Sequence, residues 1–80
     1  MADYAVVKRV RSPDGKSEFE FCRRTDGHFQ YFGNSEITED GYTFWTPTAF
    51  SGLFDSLESA ERDAVADASW LREELKRSNY

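Results

Sequence analysis

Three Asp-Gly pairs, Asp14-Gly15, Asp26-Gly27 and Asp40-Gly41, punctuate the first half of the chain, each between segments rich in aromatic and β-branched residues. Asp-Gly between such segments is the strongest short-range hairpin signal, because Gly takes positive φ without steric cost and Asp tolerates it. The first pair sits in Ser12-Pro13-Asp14-Gly15, where Pro also presets φ for a turn. Loops this short connect only antiparallel neighbours. The spacing therefore predicts a four-stranded meander over about 4–11, 17–24, 28–37 and 42–46.

Side-chain chemistry suggests a register. Pairing Val7 with Phe21 sets Arg9 beside Phe19 and Lys8 beside Glu20, an opposite-charge pair that disfavours a one-residue slip. A three-residue loop at Thr25-Asp26-Gly27 sets Phe21 beside Tyr31 and Arg23 beside Phe29. The same loop length at Glu39-Asp40-Gly41 pairs Ile37 with Thr43 and Glu36 with Phe44. One face then carries Ala5, Val7, Phe19, Phe21, Phe29, Tyr31, Ile37 and Trp45, the expected core. The other carries Tyr4, Val6, Val10, Cys22, His28, Gln30, Phe32, Glu36, Tyr42 and Phe44.

The second half changes period. Leu57, Ala60, Ala64, Ala68, Leu71 and Leu75 recur at three- and four-residue steps, one stripe of an amphipathic helix over about 57–77. Asp55 with Glu58, or alternatively Ser56, supplies the N-cap, and Asp55, Glu58 and Glu61 precede Arg72, Lys76 and Arg77 as the helix dipole favours. Asp67-Ala68-Ser69 offers the alternative, a second capping signal at which a new helix could begin. Phe50, Leu53 and Phe54, in the stretch before the helix, are expected under it. The fold class is α+β: a four-stranded antiparallel β-meander, one C-terminal amphipathic helix packed on one face, and residues 1–80 as a single domain.

A chain of 80 residues has a thin core, and its 16% aromatic content supplies much of the area that core needs. The net charge is −5, all of it on residues 38–80, since residues 1–37 are neutral. Such a chain is not drawn to polyanions by bulk electrostatics. The single Cys22 forms no intrachain disulfide, no apolar run reaches membrane-spanning length, and Met1-Ala2-Asp3-Tyr4 lacks the pattern of a signal peptide. The expected location is the cytoplasm of the cell in which the chain is made.

Catalytic signals are weak. Cys22 and His28 share a face across one hairpin but on a diagonal of about 7–8 Å, with no clear orienting group. One Cys and one His do not make a zinc site, and Glu39-Asp40-Gly41 lacks the ligands of a calcium loop. The expectation is no enzyme, no cofactor and no metal. Lys8, Arg9, Arg11, Arg23 and Arg24 among sheet aromatics admit an RNA-binding sheet, against the charge and without an RNP-type motif.

Two surfaces invite a protein partner. One helix cannot cover both sheet faces, so Phe32, Tyr42 and Phe44 are expected as an exposed aromatic patch unless a bulge or the N-terminal segment covers them. The helix exterior offers Glu58, Glu61, Asp63 and Asp67 as an acidic ridge, with Trp70 as an outward anchor, or packed inward if the helix breaks near Ser69. The ridge suits a basic, nucleic-acid-handling complex. The chain itself is expected to be a monomer or weak homodimer, and the alternative function is a housekeeping bacterial domain self-associating through its open sheet face.

The segment from Gly52 to Glu61, Gly-Leu-Phe-Asp-Ser-Leu-Glu-Ser-Ala-Glu, follows a meander ending Tyr42-Thr43-Phe44-Trp45-Thr46-Pro47. This arrangement resembles small β-meander-plus-helix proteins of proteobacteria and their phages. In size, acidity and lack of catalytic motif the chain also resembles anti-CRISPR proteins, including those acting on type I surveillance complexes. The resemblance implies a non-enzymatic inhibitor or adaptor that binds a protein subunit and obstructs DNA recognition or nuclease recruitment. Those proteins share no common signature, so it assigns no functional residue.

Overall fold

The turn chemistry closes three hairpins. In a computed structural model that describes residues 4–77, β1 (Tyr4–Arg11), β2 (Ser17–Arg24), β3 (Phe29–Glu39) and β4 (Tyr42–Phe50) form one antiparallel sheet in the order β1-β2-β3-β4. The Met1–Asp3 part of the N-terminal reading lies outside the described residues. Helices α1 (Leu57–Asp67) and α2 (Leu71–Arg77) follow.

The central hairpin has the expected register, with Phe21 opposite Tyr31 and Arg23 opposite Phe29. Gly27 closes its three-residue loop at φ +88°. The flanking pairings differ from expectation, each by one residue. A β-bulge between Val6 and Lys8 leaves Val6 opposite Cys22 but puts Lys8 opposite Phe21 and Val10 opposite Phe19. Because side chains alternate, the extra residue transfers everything after it to the other face. Val10 is therefore buried and Val7, at the bulge, is exposed; Ala5, also expected in the core, precedes the bulge and keeps its expected partner Arg23, yet is exposed.

The β3–β4 loop is also one residue shorter than expected. Glu39 pairs with Tyr42, and Asp40 and Gly41 both have positive φ, +49° and +81°, the signature of a two-residue type I′ turn. Its right-handed twist matches that of the strands, which a longer loop does not need to do. Ile37 consequently faces Phe44, and Glu36 faces Trp45. Tyr42 and Phe44 lie on the helix side of the sheet and Trp45 on the open side, the reverse of the expectation. Strand β4 also runs to Phe50, past Pro47, by means of a second irregularity between Gly33 and Asn34.

Ser56 is the N-cap of α1, its Oγ accepting the Ser59 N–H at 3.1 Å. The single expected helix is two. Ala68 leaves helical geometry (φ −140°, ψ 110°), and the chain turns through Ser69 and Trp70 before α2 begins. The turn swings Trp70 inward onto Phe19 in an edge-to-face contact at 5.8 Å, so it is not an outward anchor. Ala60, Ala64 and Leu71 are fully buried against Phe19, Phe21, Tyr31 and Val10. The small alanines let α1 sit close on the aromatic floor, with Phe54 stacked on Tyr31 at 6.2 Å. Helix α1 packs on β2 and β3 and α2 on β1, while neither packs on β4.

Candidate functional site

The sheet face turned away from the helices is organised by two clusters. At one end, the Tyr4 and Phe32 rings lie 5.8 Å apart, and Phe32 meets Phe50 edge-to-face at 6.0 Å. Tyr4 is on β1 and Phe32 on β3, so their rings meet above β2. Tyr4 pairs with Arg24 and Phe32 with Glu20, which places the meeting point over Cys22. That is why Cys22 is completely buried on a face that carries no helix. Burial pushes its thiol pKa up, further from a nucleophilic thiolate.

At the other end, charges are matched across strands. Arg9 bridges Glu18 (Nε to Oε1, 2.8 Å) and Glu20 (Nη2 to Oε2, 2.7 Å). Arg11 donates to Glu18 at 2.9 Å and lies over the Trp45 ring at 5.5 Å. The two arginines are thus balanced by two carboxylates. A stacking platform for nucleic acid needs excess positive charge beside its rings, and this ladder supplies none.

The expected site residues fall in three places. Phe32 sits at the centre of the open-face ring cluster, half-buried between Tyr4 and Phe50. Tyr42 and Phe44 are exposed, on the opposite face and beyond the helices. The acidic residues are distributed differently from a free ridge. Glu61 accepts from Lys8 Nζ at 2.8 Å, tying α1 to β1. Tyr31 Oη donates to Asp63 Oδ2 at 2.7 Å and to Asp67 Oδ2 at 3.0 Å, so both carboxylates hold α1 over β3. Burial and these two carboxylates together push the Tyr31 hydroxyl pKa well above its usual value. Glu58 remains exposed in the first turn of α1.

Sequence reasoning missed Trp45 and Phe50 as surface groups. The available signal was negative: Tyr42 to Phe54 contains no charged residue. Five of its side chains, Tyr42, Phe44, Trp45, Phe50 and Leu53, are exposed large hydrophobics, Tyr42 at 75% and Phe50 at 69%.

His28 Nδ1 lies 3.3 Å from Asp26 Oδ1 and Nε2 lies 3.8 Å from Asp55 Oδ1, while Cys22 is sealed beneath Tyr4 and Phe32. An attack by Cys22 would need that lid removed. A cleft of about 510 Å³ opens on the helix side between the α1–α2 turn and β3–β4. Its floor hydroxyls are engaged with one another, Ser17 with Ser35 at 3.2 Å and Ser35 with Thr48 at 3.5 Å. Among the described residues, no group of three or more His, Cys, Asp or Glu is placed to hold a metal ion, and no helix is long and apolar enough to cross a membrane. Comparison with protein-family models, curated proteins and solved structures found no match.

Proposed function

We propose that the chain is a non-enzymatic inhibitor or adaptor that docks a protein partner on the open face of its sheet. The observation that supports this most is the contiguous Tyr4–Phe32–Phe50 ring cluster on a face that no helix covers. Contiguous exposed aromatics on a small domain characteristically mark binding surfaces, where desolvating them supplies most of the affinity. The Arg9–Glu18–Glu20 ladder and the Arg11–Trp45 pair form a polar rim beside the rings. The acidic C-terminal half adds steering toward a basic partner.

The sequence resemblance supports a narrower form of the proposal. In it, the partner is a bacterial CRISPR surveillance complex, met in the cytoplasm and hindered in recognising DNA. The general reading is tested by immobilising the protein and a Tyr4→Asp/Phe50→Asp variant and comparing what each captures from a bacterial lysate. A partner retained by the parent and lost by the variant is the expected outcome. The same proteins captured by both would remove the ring cluster from the account. The narrower form is tested with purified type I complex, where DNA binding unaffected by excess protein would refute it. Oligonucleotide binding that weakens steeply with salt would favour an RNA-binding sheet instead.

A further inference from the structure

The two edges of the sheet are built differently. Edge strand β1 carries Lys8, Arg9 and Arg11 and is bent by the bulge at Val7. Edge charges and bulges are the usual means of preventing strand-to-strand association. Edge strand β4, Tyr42–Phe50, carries no charge at all, and no helix packs on it. In a chain of net charge −5, this is where two copies can approach with least repulsion.

The backbone of β4 specifies how they would pair. The type I′ turn makes Glu39–Tyr42 a hydrogen-bonded pair, so bonded and non-bonded pairs alternate from there. Tyr42, Phe44 and Thr46 direct their N–H and C=O toward β3, whereas Thr43, Trp45 and Pro47 direct theirs toward the free edge. Pro47 opposite Asn34 agrees with this phase, because proline has no N–H to give to β3. The free edge therefore offers complete donor–acceptor sets at Thr43 and Trp45, and pairing stops at Pro47.

We infer that β4 is a homodimerisation edge, pairing antiparallel with β4 of a second copy about a two-fold axis at Phe44. In this register Thr43 of each copy exchanges N–H and C=O with Trp45 of the other, and Phe44 faces its own symmetry mate in a non-hydrogen-bonded pair. Pro47 falls opposite Gly41, at the end of the paired segment, so its missing donor does no harm. The axis stands perpendicular to the sheet, which puts both helical layers on one side. Phe44 and Tyr42 line the floor between them and shelter each other. The pairing leaves the Tyr4–Phe32 ring pair uncovered on the opposite face, so it stands independently of the partner-docking reading.

A strand pairing of this length buries less than the roughly 1,200–2,000 Å² of a standard interface, so a weak, concentration-dependent dimer is expected. Light scattering and sedimentation from about 5 to about 500 μM should show the mass rising from 9.3 kDa toward twice that value. Phe44→Glu places like charges directly opposite each other at the axis and should weaken association about 100-fold or more. Phe44 is off the helix-covered part of the sheet, and far-UV circular dichroism checks that the variant folds. Phe44→Cys provides a separate readout. The facing positions at the axis suit disulfide geometry. Native Cys22 is fully buried, so it does not compete. Mild oxidation should therefore give a covalent dimer with Phe44→Cys and little with Thr46→Cys, whose symmetry mate lies out of reach. A monomeric mass at all concentrations overturns the inference and leaves the edge to another protein's strand. Equal cross-linking at both positions, or undiminished association of folded Phe44→Glu, overturns it as well.

Discussion

Replacing Tyr31 by Phe isolates the contact that holds α1 on the sheet. The ring is 1% exposed and packs on Phe19, Phe21 and Phe54, all contacts that Phe preserves. What is lost is one hydroxyl donating to Asp63 at 2.7 Å and Asp67 at 3.0 Å. Hydrogen bonds to charged groups contribute about 1.5–3 kcal/mol in a buried setting, with a further penalty when the acceptor is left unpaired away from water. Here both carboxylates belong to exposed residues and rehydrate, so the combined loss is put at about 1–1.5 kcal/mol, or roughly 4–12 °C in Tm for a domain of this size.

The same contact carries a pH signature. The hydroxyl's pKa is raised in the folded state, so the unfolded chain loses this proton first as pH rises. The stabilisation is therefore fully present below the unfolded tyrosine value of about 10, and above it is lost at about 1.4 kcal/mol per pH unit until the folded pKa is reached. Parent and variant should differ by the full amount at pH 7 and converge near pH 11, since the variant has no proton to lose there. Urea titrations followed by far-UV circular dichroism at both pH values measure this. A variant as stable as the parent at pH 7, or a gap unchanged at pH 11, would refute the reasoning.

Three further outcomes follow from the core. Leu71→Ala empties a fully buried position where α2 meets the core and should cost about 2–5 kcal/mol in a thermal melt; a small effect would show that α2 is only loosely held. Gly33→Ala places a methyl 3.0 Å from the Ala49 Cβ and 3.3 Å from the Phe19 ring, so about 1–3 kcal/mol of stability should be lost by urea denaturation, and a neutral result would mean β4 yields freely. Cys22, buried under Tyr4 and Phe32 with its pKa pushed up, should react with an aromatic disulfide reagent only as fast as the domain opens; immediate labelling of the native protein would contradict that lid.

The strand count and order, the central register, the Ser56 cap and the break at Asp67-Ala68-Ser69 all had local chemical markers in the sequence. The two misread registers did not. Nothing at Val7 announces a bulge, since no glycine or proline marks it, and the Lys8–Glu20 pairing that argued for the unbulged register was plausible on charge alone. The structure resolves the competition differently: Arg9 takes Glu20, freeing Lys8 to reach Glu61 across 53 residues of sequence. Glu39 likewise gives no sign of whether it belongs to the turn or to the strand. Each ambiguity spans one residue, yet with a side-chain period of two it exchanges whole faces. This is why the well-marked central hairpin puts Phe32 on the open face, as observed, while side-chain patterning alone puts Tyr42, Phe44, Trp45 and Val10 on the wrong side.

The bareness of β4 follows from the same geometry. Strands lie about 4.8 Å apart and a helix with its side chains is about 10 Å across, so α1 covers about two strands, β2 and β3, and α2, packed on β1, adds nothing over β4. An unbroken helix over 57–77 would have been one rod across the sheet. The turn at Ala68 instead carries α2 back over β1, where Leu71 closes the core, and brings Trp70 onto Phe19. Coverage gained over β1 is coverage withheld from β4. A chain selected only for a soluble, solitary fold would offset this with lysines or glutamates on the uncovered strand, as β1 does with Lys8, Arg9 and Arg11. Tyr42-Thr43-Phe44-Trp45-Thr46 has none. If solubility alone governed this strand, Thr43→Lys and Thr46→Lys would be neutral for every interaction of the protein; if the edge pairs, the same two substitutions disrupt it while the monomer's melting temperature stays within a few degrees.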